Sequence, residues 1–225
     1  SYSDTSQQNL PPGRNMMSYP KGLNGKTLAI ATSPSFSVGA STEGKLFIWG
    51  KTRITSKIDV KYVPANMGKV VDVAAGYDHI LALNDEGKLF AWGNGRQGQT
   101  QIPSEVEQLG NIREIKAGNQ SSVVLSEDGT SYFFGNDMNN DYNAFHPYQG
   151  QLAQVELTSD AVLGRTTDGK AVYLGSMKNG YSEIPENMGN VMDIAATSST
   201  MAAVNDQGKV FVWGNISQKW KENQV

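Results

Sequence analysis

Asn84–Gly93 reads NDEGKLFAWG, and the design recurs four more times: STEGKLFIWG at Ser41–Gly50, SEDGTSYFFG at Ser126–Gly135, TTDGKAVYLG at Thr166–Gly175 and NDQGKVFVWG at Asn205–Gly214. The turn glycines Gly44, Gly87, Gly129, Gly169 and Gly208 are spaced by 43, 42, 40 and 39 residues. A second glycine closes each copy, and the residue before it is always large and apolar: Trp49, Trp92, Phe134, Leu174 and Trp213. Self-similarity at a fixed period marks a repeat architecture, in which each unit buries its apolar faces against its neighbours. This column of large residues is therefore expected to be structural and buried between units.

Working outward, the alignment extends upstream without a gap, as in VVDVAAGYDHILALN at Val70–Asn84 and VMDIAATSSTMAAVN at Val191–Asn205. Each such stretch reads as a strand, a tight turn and a second strand. Downstream comes a loop of varying length and then a proline segment: YVPANMG, QIPSEVEQLG, FHPYQG and EIPENMG. Each unit is thus expected to be a meander of four short strands, and four strands in about 40–45 residues make a β-propeller blade. The expected fold class is all-β, a propeller of five blades.

The run VAAGYDHILALNDEGKLFAWGNGRQGQ, Val73–Gln99, joins a small-residue strand, AG, a histidine, AL, a turn glycine, WG and GQ. It resembles the repeat of the regulator of chromosome condensation family of β-propellers. The GQTQIP continuation is similar to bacterial and viral members, among them a propeller-type secreted β-lactamase inhibitor. The resemblance covers about residues 20–215. It implies a disc that binds proteins through its loops. The family founder is a nucleotide-exchange factor on a small GTPase, a role tied to seven blades, a wedge insertion and a basic tail.

The fifth copy is followed by no proline segment, whereas the N-terminal region carries an unattached one, SYPKGLNG at Ser18–Gly25. Residues 17–26 are accordingly expected to form the outer strand of the blade that contains Trp213, closing the ring and covering a sheet edge that would otherwise expose unpaired amides. The competing reading is an excised part of a longer ring. Residues 1–16, rich in Ser, Gln, Asn and Pro, read as an extended arm that orders on docking. Residues 17–218 form the propeller and 219–225 a C-terminal tail.

A net charge of −3 gives no footprint for nucleic acid, which needs clustered Lys and Arg to displace counterions. The absence of cysteine excludes disulfides, thiol catalysis and Cys-based zinc sites. No apolar run approaches the roughly 18 residues of a membrane span, so membrane insertion is not expected.

The stretch WGNGRQGQTQIP, Trp92–Pro103, holds Gly93, Gly95 and Gly98 in the spacing G-x-G-x-x-G. A dinucleotide cradle needs the third glycine to open a helix. The next residues are QTQIP, with no helical periodicity, so the loop reads as a repeat-end turn and no cofactor is expected. His79 aligns with Phe36, Ser121, Ala161 and Thr200, which cannot form a ring of metal ligands, and a packed histidine bonded to nearby backbone is expected. His146, the other histidine, has no visible catalytic partner. Asp137, Asn139, Asp141 and Asn143 alternate as calcium-loop ligands do, but Tyr142 and Tyr148 stand where glycine and glutamate are needed. Asn119 and Asn215 match the glycosylation sequon. No catalytic residue and no metal site is assigned.

In a meander the first and third connections share one end of the sheet. The third varies most, and loops of differing length and chemistry on a rigid scaffold are where binding is placed. The candidate binding residues are Arg53, Tyr77, Arg96, Tyr142, Phe145 and Tyr181, because aromatic and arginine side chains supply most interface hot spots. The expected function is a non-enzymatic protein-binding module, with a structural or attachment component of a phage particle as the first setting. The alternatives are a secreted inhibitor of an enzyme and a glycan-binding propeller. A virion or extracellular location is favoured over the cytoplasm.

Overall fold

The structure is a computed structural model that describes residues 19–51, 59–136, 147–159, 161–174 and 183–215. The described residues form fifteen strands in five antiparallel sheets. The first sheet is β1 (Thr27–Thr32), β2 (Phe36–Ser41) and β3 (Leu46–Gly50). The second is β4 (Val70–Ala75), β5 (His79–Asn84) and β6 (Leu89–Gly93), and the third is β7 (Ile112–Ala117), β8 (Ser121–Ser126) and β9 (Ser131–Gly135). The fourth is β10 (Leu152–Leu157), β11 (Val162–Thr166) and β12 (Ala171–Leu174), and the fifth is β13 (Val191–Ala196), β14 (Thr200–Asn205) and β15 (Val210–Gly214).

Two compact units divide the chain. Described residues up to 124, with 132–136, form the first, which holds the first three sheets apart from the hairpin tip 125–131. That tip and the described residues from 147 onward form the second.

The repeat translates directly into hairpins. The turn glycines adopt φ between +75° and +86°, backbone that a side chain disfavours. In the second sheet the Asn84 carboxamide oxygen accepts from the Glu86 and Lys88 amides at 3.1 and 2.8 Å and fixes the turn. At the other end of the hairpin Gly93 has φ +101°, and a Cβ there would stand 2.5 Å from the Asp78 carbonyl oxygen. Pairing of Leu81 with Ala91 and of Leu83 with Leu89 puts these four side chains on one face, while Ile80 opposite Trp92 and Ala82 opposite Phe90 occupy the other.

Within each unit, neighbouring sheets meet through apolar faces. Val38, Ala40, Leu46 and Ile48 of the first sheet pack against Val70, Val73, Ile80, Ala82 and Trp92 of the second. Leu81, Leu83 and Leu89, on the opposite face of the second, pack against Ile112, Ile115 and Phe134 of the third. In the second unit Leu163 and Tyr173 pack against Val191, Ile194, Met201, Ala203 and Trp213. Trp92, Phe134, Leu174 and Trp213 are buried and Trp49 is half-buried.

The expected fourth strand is absent from every sheet among the described residues. The proline segments take other forms: a 3-10 turn at Lys21–Leu23 after Pro20, and one helical turn, α1 (Ser104–Glu107), after Pro103. Proline lacks the amide that a ladder requires and fixes φ, so these segments cross the edge of a sheet without pairing to it. They are anchored by side chains: Asn84 donates its carboxamide N–H to the Met67 carbonyl at 2.9 Å, and Asn205 does the same to Met188 at 2.8 Å.

The expected closure by residues 17–26 is corrected in the same way. Of these, 19–26 are described, and they dock on the first sheet. Leu23 is buried beside Gly39, and a Cβ on that glycine would stand 2.9 Å from the leucine Cδ1. The Thr42 amide donates to the Lys26 carbonyl at 2.7 Å, as Asp85 does to Lys69, Thr167 to Gln151 and Asp206 to Asn190. Each segment thus serves the sheet that comes next in sequence, and the N-terminal one obeys the same rule. β15 has β14 as its ladder partner.

Candidate functional site

The pairing of His79 with Gly93 brings the first and third connections of the second sheet together at one end. There the Asn94 amide donates to the Asp78 carbonyl at 2.9 Å, and the Asn94 carboxamide donates to the Asp78 carboxylate at 2.8 Å. The Arg96 amide donates to the Asn94 side-chain oxygen at 3.0 Å, which sets the start of the next turn. The Tyr77 amide donates to the Gly118 carbonyl at 3.1 Å and ties this loop to the first connection of the third sheet. Tyr77, Arg96, Asn119 and Gln120 are exposed on this end.

The glycines of the G-x-G-x-x-G spacing serve the turn. Gly95 sits where a Cβ would collide with the Thr100 hydroxyl, and Gly98 has φ +86°. No helix comes directly after them: α1 begins after Pro103 and has four residues, so there is no amide cradle at Gly98 for a pyrophosphate.

Behind the loops lies a buried polar chain. His79 is fully buried, and its Nε2 stands 2.9 Å from the Ser122 hydroxyl oxygen. Ser122 donates its own hydrogen to the Gln99 carbonyl at 2.8 Å, so the histidine must donate from Nε2, and Nδ1 is the unprotonated nitrogen. Nδ1 and the Gln99 side-chain carboxamide nitrogen have no partner among the described residues. Burial pushes the His79 pKa down to about 4, against the opposing influence of the Asp78 charge and the backbone at Ser121. A neutral imidazole here is a connector between sheets.

Two other regions carry polar groups. A cavity of about 260 Å³ in the first unit is lined by Ile30, Asp72, Val73, Glu114, Ile115 and Lys116 from the first strands of three sheets. A register shift between Val70 and Asp72 places the carboxylate beside the Val73 amide, 2.9 Å away. Burial raises the pKa of Asp72, and the Val73 hydrogen bond and Lys116 oppose that rise. At the hairpin tips, Ser126 donates to Asp128 and Thr166 donates to Asp168, and these bonds hold both carboxyls below the ordinary carboxylate range. Those acids are occupied in turn geometry. Among the described residues no group of three or more His, Asp or Glu side chains could hold a metal ion.

Of the residues picked from sequence, Tyr77 and Arg96 come together at the loop end. Arg53, Tyr142, Phe145 and Tyr181 lie outside the described residues, as do the oxygen-rich stretch 137–143 and His146. Phe36 is buried in the core between the first two sheets. Sequence reasoning missed Asn94 and Ser122. Asn94 comes just after a closing glycine and has a turn residue's chemistry, whereas nothing in the alignment marks Ser122 as the partner of a histidine 43 residues away.

Repeat and fold define the class first: an all-β repeat protein whose three-stranded sheets stack through apolar faces. Residues 70–99 match the regulator of chromosome condensation (RCC1) repeat, and the fold is similar to that of solved RCC1-type β-propellers. Human WBSCR16 is similar in fold, with a TM-score of 0.66 and 20% identity over 84% of this chain and 62% of its own. Prp20p of Saccharomyces cerevisiae, which binds Gsp1p and histones, gives 0.61 and 18% over 82% of this chain and 57% of its own. The C-terminal domain of gp131 from bacteriophage phiKZ gives 0.53 and 10% over 95% of this chain and 72% of its own. The chain therefore spans less than two thirds of the first two proteins. Its sequence has no match among curated proteins.

Proposed function

We propose that this chain is a non-enzymatic protein-binding module, its five sheets serving as propeller blades, and that it meets its partner through the loop end of the second and third sheets. The observation that carries this reading is the exposure of Tyr77 and Arg96 on two adjoining loops whose backbones are fixed by Asp78, Asn94 and Gly118. An arginine and an aromatic held on an ordered frame lose little entropy when a partner docks. The binding of Gsp1p and histones by Prp20p, a protein of the same fold, supports a protein as the partner class.

Within this class the setting we propose is an attachment component of a phage particle. The likeness to the phiKZ gp131 domain supports it at the level of fold alone. A secreted inhibitor would use the same surface, with an enzyme as its target.

The test compares capture of partner proteins from the source organism by three immobilised forms: wild type, Y77A/R96A, and the turn-end pair E43A/E86A. Loss of the same mass-identified partner with Y77A/R96A alone is the expected result. Equal capture by all three, or loss with E43A/E86A, overturns the choice of surface. Retention on a glycan array, abolished by Y77A/R96A, replaces the protein partner with a carbohydrate.

A further inference from the structure

Three Asn-Gly pairs occur in the chain: Asn24–Gly25, Asn94–Gly95 and Asn179–Gly180, the last outside the described residues. This dipeptide is chemically unstable, because glycine leaves its amide nitrogen unhindered as a nucleophile towards the carboxamide carbon of the asparagine before it. Ring closure requires that nitrogen to reach Cγ, so a side chain and peptide free to rotate react and pinned ones do not. The two described pairs differ in just this respect.

Asn94 is held at both ends of its carboxamide. Its Nδ2 donates to the Asp78 carboxylate at 2.8 Å, and its Oδ1 accepts from the Arg96 amide at 3.0 Å. Its own amide donates to the Asp78 carbonyl at 2.9 Å, and Gly95 is packed on the Thr100 side chain. Asn24 and Gly25, by contrast, are exposed. They are the central residues of a turn closed by the Lys26 amide on the Leu23 carbonyl at 3.0 Å. With φ −64° and ψ 116° at Asn24 and φ +67° at Gly25, it is a type II turn. Among the described residues neither the Gly25 amide nor the Asn24 Nδ2 has a hydrogen-bond partner, and a Cβ on Gly25 would meet nothing within 4 Å. The bond that the Asn24 side chain does make, accepting from the Tyr19 hydroxyl at 3.3 Å, is exposed. Rotation about the Asn24 χ1 and ψ bonds therefore closes the ring in open space.

We propose that Asn24 is a site of spontaneous deamidation in the folded protein, and that the Asp78 clamp protects Asn94 at the loop end. The Gly25 nitrogen gives its proton to hydroxide and attacks Cγ of Asn24. The N–Cγ bond forms, the Cγ–Nδ2 bond breaks, and the departing nitrogen takes a proton from water and leaves as ammonia. Water then adds to either carbonyl of the succinimide and opens it to aspartate or isoaspartate, a net exchange of water for ammonia. Isoaspartate routes the main chain through the side-chain carbon and lengthens the turn by a methylene. That turn carries buried Leu23 and the Lys26 carbonyl that accepts from Thr42, so the product loosens this segment from the first sheet.

Peptide mapping by mass spectrometry tests this on the full chain after incubation at mildly alkaline pH, both in buffer and in urea that unfolds it. In buffer Asn24 converts at least about tenfold faster than Asn94, the factor that one to two net hydrogen bonds supply. In urea the two rates converge, and in the folded chain Asp78→Ala raises the rate at Asn94. Hydrogen exchange at the Thr42 amide quickens as the isoaspartate form accumulates. Equal rates in the folded chain, a difference that persists in urea, or an Asn24 that stays intact overturns the proposal. So does an Asn94 rate unmoved by Asp78→Ala in a chain that circular dichroism shows to be folded, and unchanged Thr42 exchange overturns the loosening of the segment.

Discussion

His79 donates its Nε2 hydrogen to the Ser122 hydroxyl at 2.9 Å, a bond that runs from the second sheet to the third and excludes water from both ends. Because Nδ1 has no partner and burial holds the pKa near 4 against an ordinary 6.5, the folded state prefers the neutral ring. The unfolded chain binds the proton more tightly, so the stability linked to His79 is complete above pH 6.5 and is lost as pH falls towards 4. The shift corresponds to roughly 3 kcal/mol at the acid limit. Urea midpoints at pH 7 and pH 4.5 should fall more for wild type than for His79→Gln, and equal falls would exclude this residue as the titrating group.

Trp92 is buried between the first and second sheets and donates its indole N–H to the Val60 carbonyl at 2.6 Å. Trp92→Ala leaves a cavity and an orphaned carbonyl, and should cost about 3–5 kcal/mol. Trp92→Phe, which keeps the ring volume that Phe134 supplies in the third repeat, should cost less. A loss below about 1 kcal/mol for the alanine variant, by urea denaturation, contradicts the packing described.

Gly76 and Gly110 form a contrast. A Cβ at Gly76 would meet the His79 ring and stand 2.5 Å from the Gly118 carbonyl oxygen, whereas at Gly110 it would meet nothing within 4 Å. Gly76→Ala should therefore destabilise by about 1–3 kcal/mol through overpacking. Gly110→Ala should stay within about 0.5 kcal/mol of wild type, and a calorimetric comparison reads both.

At the loop end the frame and the exposed side chains should separate. Asn94→Ala removes the bond to Asp78 and the acceptor for the Arg96 amide, and should lower stability by about 1 kcal/mol. Tyr77→Ala and Arg96→Ala should weaken partner capture and leave the melting temperature nearly unchanged. A large stability loss for Arg96→Ala would recast it as part of the frame.

Much of this was legible in the chain because a repeat states its own boundaries. The hairpins, their turn glycines and the loop connections at Tyr77 and Arg96 emerge from alignment of five copies, since φ above zero and alternation of side chains are local requirements. The fourth strand was misread because YVPANMG and its counterparts have the length and apolar spacing of a strand. Their prolines make them crossings, and their buried residues, Met67 and Met188, are held by asparagines from the next hairpin.

The sequence by itself determined the repeat of this protein: hairpins with apolar positions on both faces, recurring five times and punctuated by proline, whereas the structure ended each sheet at three strands. Tertiary structure alone decided which sheet each proline segment serves and which serine meets the buried histidine. Both are set by the neighbour that arrives, and a side chain's own chemistry cannot report which one does.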